Sequence, residues 1–266
     1  MKSSDLIETY PGFFVSELRE DTLWLKFSGN FFHNVTTFGW RDFMAKYFKR
    51  VSAADDVRAV VIHSAYSESG SDEYLRFFLL ECCEREIGHF GFSNVMDRYE
   101  LQRFCNVIDQ TILSIARLDK LVIHICRGDV LSLFLNVALA SDYRIVTTDT
   151  VFHHIFQEIG MLPKGGTTFF LNNMVGASKT RELLLLNRRI TAAQALRWGI
   201  VDQVVAPQEL EMAAVAVARS FGEVPARTFT GIKRLVNYSI RELEDYLAFE
   251  TAEVTKIGKT SGFADQ

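Results

Sequence analysis

Two histidines stand side by side at His153 and His154, with Glu158 four residues beyond the second. Imidazole titrates near neutral pH and is the commonest general base, so this pair is the first place to look for proton transfer. In an extended segment neighbouring side chains point to opposite faces, so one of the two is expected to face a pocket. The competing reading is a histidine hydrogen-bonded in the core or at a subunit contact. The same divergence argues against a metal site. Three or four ligands must converge, and His153, His154 and Glu158 would do so only with unusual geometry. His63 and His124 lie in apolar runs and are expected to be satisfied core histidines, while His33 and His89 fall in loops.

Other chemistries find no motif. Ser69 and Ser132 lack the G-x-S-x-G context of a hydrolase nucleophile. Lys164–Gly165–Gly166–Thr167 lacks the spacing of a phosphate loop. Cys82, Cys83, Cys105 and Cys126 match no zinc or redox spacing and read as reduced thiols.

The elements that must position these residues alternate between strands and helices. Phe13–Glu17 and Leu23–Phe27 flank an acidic turn and predict an antiparallel hairpin. Helical spacing follows from Thr37 to Arg50, then a valine-rich strand over 57–63 and a polar loop over 64–72. A helical pattern runs from Glu73 to about Ala116, broken near Gly88–Gly91. Leu121–Cys126 reads as a buried strand, Val130–Ala140 as an apolar central helix, and Tyr143–Val146 as a further strand. Beyond Pro163 a helix begins near Thr168, Ala192–Trp198 is a short helix, and Val201–Val205 a strand. Helices over 207–221, 226–239 and 241–256 complete the pattern. Strands alternating with helices predict parallel βαβ units and an α/β fold.

At 48% hydrophobic and 23% charged, the 266-residue chain has a globular composition. That length buries roughly 70–75% of its unfolded surface and needs no disulfide or metal to hold it. A net charge of −4 argues against a nucleic-acid partner. No apolar signal core opens the chain, and no apolar run reaches the ~20 residues of a membrane span. A soluble, cytoplasmic protein without a membrane partner is expected.

The text from Lys120 to Leu210 closes the reading. RGDVLSLFLNVALASDYRIVTTDTVFHHIFQEIGMLPKGG followed by MVGASKTRELLLLNRRITAAQALRWGIVDQVVAPQEL resembles the crotonase (enoyl-CoA hydratase/isomerase) superfamily. Its patterns are NGxxxGGGxEL, FGxPExxLGxxPGGGG and ItAxEAxxxGLVxxVVPxxEL. Gly128, Asp142, Phe152, Gly160, Pro163, Gly165, Gly166, Gly176, Gly199 and Asp202 fall in register, and Ser69–Gly70–Ser71–Asp72 is similar to the family's AGAD loop. Asp142 and Asp202 are then expected to make turn and cap hydrogen bonds.

The resemblance implies a ββα spiral core over 1–205. A C-terminal helical extension over 206–266 would belong to the same domain and make the contacts of a homotrimer or dimer of trimers. It implies an acyl-CoA or ketone substrate, with CoA entering as part of the substrate, no separate cofactor and no metal. The carbonyl would sit between the backbone N–H groups of Ser69 and Leu133 and pass through an enolate. Gly70, Phe134 and Phe156 would line the pocket. The family's first catalytic glutamate aligns with Asn136 and its second with Phe156. Asparagine holds a water but accepts no proton, and phenylalanine does neither. Two-glutamate hydration is therefore not expected. His153, His154 and Glu158 are left to move a proton in an isomerisation, C–C cleavage or specialised biosynthetic step. A β-diketone hydrolase is a further possibility, although Phe134 stands where those relatives place a histidine. Against the enzyme stands a noncatalytic relative, kept as a subunit or binding module, whose pocket is filled by Leu133, Phe134 and Phe156.

Overall fold

The apolar runs on either side of Glu20–Asp21 pair as antiparallel strands in the computed structural model, which describes residues 3–10, 14–27, 37–64, 98–153 and 161–260. Its strands are β1 (Thr9–Tyr10), β2 (Phe14–Arg19), β3 (Thr22–Phe27), β4 (Ala59–Ser64), β5 (Leu121–Cys126), β6 (Asp129–Leu131), β7 (Tyr143–Thr147), β8 (Val151–His153), β9 (Ile190–Thr191) and β10 (Gln203–Val205). Its α-helices are α1 (Phe38–Ser52), α2 (Arg98–Ala116), α3 (Ser132–Leu139), α4 (Thr167–Leu185), α5 (Ala192–Arg197), α6 (Leu210–Gly222), α7 (Ala226–Val236) and α8 (Ile240–Thr260).

Among the described residues two sheets form, in the orders β1-β2-β3-β4-β5-β7-β10 and β6-β8-β9. The hairpin β2–β3 is antiparallel, and β3, β4, β5, β7 and β10 run parallel. Parallel strands are covered on both faces, and the period of two divides their side chains cleanly between two cores. Val60 and Ile62 of β4, with Val122 and Cys126 of β5, face the larger core beneath α1 and α2. Ala59 and Val61, with Leu121, Ile123 and Ile125, face the smaller core, which α6 covers with Leu210, Ala214 and Ala218.

Carboxylates fasten the sheet to its surroundings. Asp142 Oδ2 accepts the Val122 N–H at 2.7 Å and the Lys233 ammonium of α7 at 2.5 Å. Asp202 Oδ2 accepts the Arg144 N–H and pairs with its guanidinium, both at 2.8 Å. These are not the turn and cap contacts expected of the two residues: each carboxylate reaches the backbone N–H of a strand distant in sequence, with a cation added.

Three segments differ from the sequence reading. The run over 130–140 is not one helix: Val130 and Leu131 pair with Phe152 and His153 in the second sheet, and the helix starts at Ser132. An apolar run alone does not distinguish the two conformations. The strand expected over 201–205 is shorter, Gln203–Val205, and α4 is bent at Gly176, where φ is 77° and ψ 161°. Among the described residues no helix is long and apolar enough to cross a membrane.

Candidate functional site

The second sheet carries chemistry to the start of α3. β6 and β8 run parallel with Leu131 opposite His153 and Asp129 opposite Val151. Residues two apart on a strand share a face, so Asp129 and His153 lie diagonally on the same one. Their side chains meet, His153 Nε2 to Asp129 Oδ1 at 3.1 Å. The imidazole is buried and the carboxylate half-exposed. In the tautomer whose Nε2–H donates to the Asp129 carboxylate, Nδ1 is the nitrogen left to accept a proton. Asp129 drew no attention in the sequence, because nothing in its spacing links it to residue 153 before the strand pairing is known.

One residue beyond the strand, α3 begins. The first N–H groups of a helix have no intrahelical partner and attract negative charge. The Leu133 amide is one of these, two residues from the position paired with His153. Asn136 follows a turn later and is wholly committed to the interior. It is buried, its Nδ2 donates to the Lys164 carbonyl, and its Oδ1 accepts the Thr167 hydroxyl.

The turn between Pro163 and α4 fits around that amide. Gly165 and Gly166 both have left-handed backbones, with φ of 76° and 78°. A Cβ on Gly165 would stand 2.6 Å from Asn136 Nδ2 and 3.0 Å from Ile108 Cγ2. Gly165→Ala is therefore expected to cost about 2–4 kcal/mol from backbone strain and overpacking together. A urea midpoint within error of the parent protein's would show that the turn has room to spare.

Behind this turn lies a cluster of charges. The Lys164 ammonium is 2% exposed and bonds to Asp109 of α2 and, at 3.1 Å, to Glu250 of α8. Glu250 also accepts the Gly165 N–H at 2.8 Å and the Gly166 N–H at 3.2 Å, and Thr251 donates to Asp109 at 3.1 Å. Burial raises the pKa of both carboxyls, against the pull of Lys164. Burial alone would lower that of Lys164, but Glu250 and Asp109 outweigh it and hold the ammonium charged. Sequence reasoning weighed Lys164 only as part of a phosphate loop and passed over Asp109 and Glu250, although a signal was present. Asp109 interrupts the apolar row Cys105, Ile108, Ile112, and Glu250 the row Leu243, Leu247, Val254. A carboxylate on the core stripe of a helix is rarely buried without a partner.

The remaining candidates divide simply. Ser69, Gly70, His154, Phe156 and Glu158 lie outside the described residues, as do Cys82 and Cys83, and Phe134 contributes its backbone to α3. His124 is fully buried in β5 and shares a 2.9 Å hydrogen bond with Ser64, while its Nδ1 has no partner among the described residues. Burial depresses its pKa to about 3, so it is neutral. His63 points to the other face, with Nδ1 3.8 Å from Glu211. Nδ1 of each core histidine thus has no hydrogen-bond partner among the described residues, which departs from the satisfied histidines expected.

Comparison with known proteins agrees with this architecture. The model of the enoyl-CoA hydratase/isomerase family matches residues 96–263. The chain is similar to the trans-2-decenoyl-[acyl-carrier-protein] isomerase of Streptococcus mutans, 27% identical over 140 residues that are 53% of each chain. It is also similar to a probable enoyl-CoA hydratase of Mycobacterium avium, 31% identical over 154 residues, 55% of this chain and 60% of that one. The matches thus span little more than half the length of these relatives. The fold of a Bacillus halodurans enoyl-CoA hydratase superposes with a TM-score of 0.76 at 18% identity, covering 94% of this chain and 97% of that one.

Proposed function

Because the chain belongs to the enoyl-CoA hydratase/isomerase family, we propose that it carries an acyl thioester or related carbonyl compound through an oxyanion-stabilised enolate, with His153 moving the proton. The observation that supports this most directly is the His153–Asp129 contact beside the start of α3. A base oriented by a carboxylate next to unpaired backbone donors is the arrangement that enolate chemistry needs. The Leu133 and Ser69 amides receive the oxyanion in this reading, and Gly70, Phe134 and Phe156 shape the pocket. His154 and Glu158 are the reserve candidates for a second proton.

Isomerisation or C–C cleavage suits these residues better than hydration. Hydration in the family calls for a carboxylate where Asn136 stands, and both ends of that amide are already engaged. The likeness to an acyl-carrier-protein isomerase favours the same side. CoA enters, if at all, as part of the substrate, and no separate cofactor or metal belongs to the scheme. Residues 1–205 form the catalytic core and 206–266 its helical extension, in a soluble cytoplasmic protein. Exposed apolar side chains on α7 and α8, Ile232, Leu235, Val236 and Phe249, support burial in a homotrimer or dimer of trimers.

A second reading, a noncatalytic binding module, draws support from the same occupied Asn136. Thermal-shift titration with free CoA, acetoacetyl-CoA, crotonyl-CoA and a cyclic β-diketone separates the two. A ligand at 100 times its dissociation constant adds about 2.7 kcal/mol, a rise of roughly 5 °C or more for a chain of this size. A rise with a thioester, followed by turnover, is the expected result. A rise with the diketone alone would move the reading to a hydrolase. No rise with any of them would leave the noncatalytic module.

A further inference from the structure

Four elements meet at Lys164. Asp109 comes from α2, Glu250 and Thr251 from α8, and Asn136 from α3, while Lys164 itself leads through Gly165 and Gly166 into α4. The contacts form a continuous chain. Glu250 holds the Lys164 ammonium and the two glycine amides. The carbonyl of the same lysine accepts from Asn136, and Thr167 closes the loop on the other side of that amide. Asn136 is one turn along α3 from Leu133. Moving Glu250 therefore moves the turn, and moving the turn releases the only described side-chain tether between α3 and α4 at this point.

We infer that Lys164, Asp109 and Glu250 form a proton-linked clamp through which the C-terminal helix α8 fixes the start of α3, making Glu250 a positioning residue for the backbone donor at Leu133. Only the role of Leu133 rests on the function proposed above; the clamp stands on the contacts themselves. The charges facing one another are one ammonium and two carboxylates, with the Cys105 thiol of α2 and the Tyr246 hydroxyl of α8 nearby, both neutral because burial raises their pKa. Two carboxylates for one cation leave a surplus negative charge in a dry site. It is met in part by the amides at the N-terminus of α4, and burial raises the pKa of both carboxyls, which favours a retained proton.

A retained proton has a signature in pH. Both carboxyls titrate higher in the folded protein than in the unfolded chain, where they lose their protons near pH 4. Above that point the native state holds protons that the unfolded state has lost, so stability falls as pH rises until the folded values are passed. Glu250→Gln and Asp109→Asn each remove one of the two acids, and each is expected to flatten that decline.

The test measures thermal midpoints from pH 4.5 to 8 and amide hydrogen exchange, in the parent protein, Glu250→Gln, Asp109→Asn and Glu250→Ala. Glutamine retains an oxygen for the Gly165 and Gly166 amides, so α3 should stay protected while the pH decline flattens. Alanine releases the turn. Protection across 132–140 should then drop at least roughly tenfold, while protection in β5 falls far less. A parent-like pH decline in both amide variants, or equal loss of protection in α3 and β5 for Glu250→Ala, overturns the inference. Should Glu250→Ala fail to fold, the pH decline in the two amide variants decides alone. None of these readings needs turnover. An inactive protein that gives them overturns the catalytic proposal and leaves the clamp standing.

Discussion

Lys164→Met is expected to lower folding stability by about 3–5 kcal/mol, the usual cost of leaving a buried charge without its partner. The reason lies in what remains rather than in what is lost. Methionine fills most of the lysine's volume, but Asp109 and Glu250, both buried, then face each other with no cation between them. The protein responds by protonating one carboxyl or by admitting water, and each response is costly. The double variant Lys164→Met/Asp109→Leu should recover much of the deficit. It leaves Glu250 with the Gly165 and Gly166 amides alone, which by themselves suit an anion at the start of α4. Urea denaturation measures both, with an unchanged slope as the check that the native fold persists. A single variant within about 1 kcal/mol of the parent would mean that solvent reaches the cluster, and the description of a dry ion site would be wrong.

His153→Ala carries the largest expected effect on activity, a fall in kcat of about 10²–10⁴-fold, the range for removing a general base. Stability should change little by comparison, because the imidazole's one described partner, Asp129, is half-exposed and can turn to water. Asp129→Asn is the informative companion. It keeps the geometry but can donate to Nε2, which favours the tautomer with its proton on Nδ1 and removes the basic nitrogen from the proposed position. Activity should fall while substrate binding, followed by thermal shift, stays close to the parent's. Full turnover by His153→Ala on the substrate that the titration identifies would exclude the assignment and direct attention to His154 and Glu158.

Much of the architecture was open to reading from residues alone. The hairpin around Glu20–Asp21, the buried strands Ala59–Ser64 and Leu121–Cys126, and the helices after Pro207 follow from apolar periodicity and turn residues. Those are local signals. What escaped depends on pairing between distant segments. Val151–His153 is three residues long, too short for any alternation to register, yet it fixes His153 against Asp129. Residues 130 and 131 read as helix because they are apolar, and only the partner strand makes them β. The charge cluster left a trace on each of two helices taken singly, a carboxylate on a core stripe, but those two traces had to be joined through Lys164 across 55 and 86 residues of chain. The family patterns mark Gly165 and Gly166. The contacts add why a side chain is excluded there, since Asn136 fills the space a Cβ would need.

The reach of Glu250 back to Lys164 also orders the making of the protein. Domains fold largely as they are synthesised, from the N-terminus onward. By the time residue 185 has been added, α2, α3 and α4 are all available to pack, and Lys164 already has Asp109. The Gly165 and Gly166 amides, however, wait for a carboxylate that lies 84 residues later for Gly166 and 85 for Gly165. A chain stalled or cleaved before α8 would hold that turn open to water, with the row of Leu243, Leu247 and Val254 missing from the core. Such a fragment presents an uncovered apolar face, which is what chaperones bind and proteases cut. The arrival of α8 is thus the step that makes the earlier part of the nascent chain resistant to quality control.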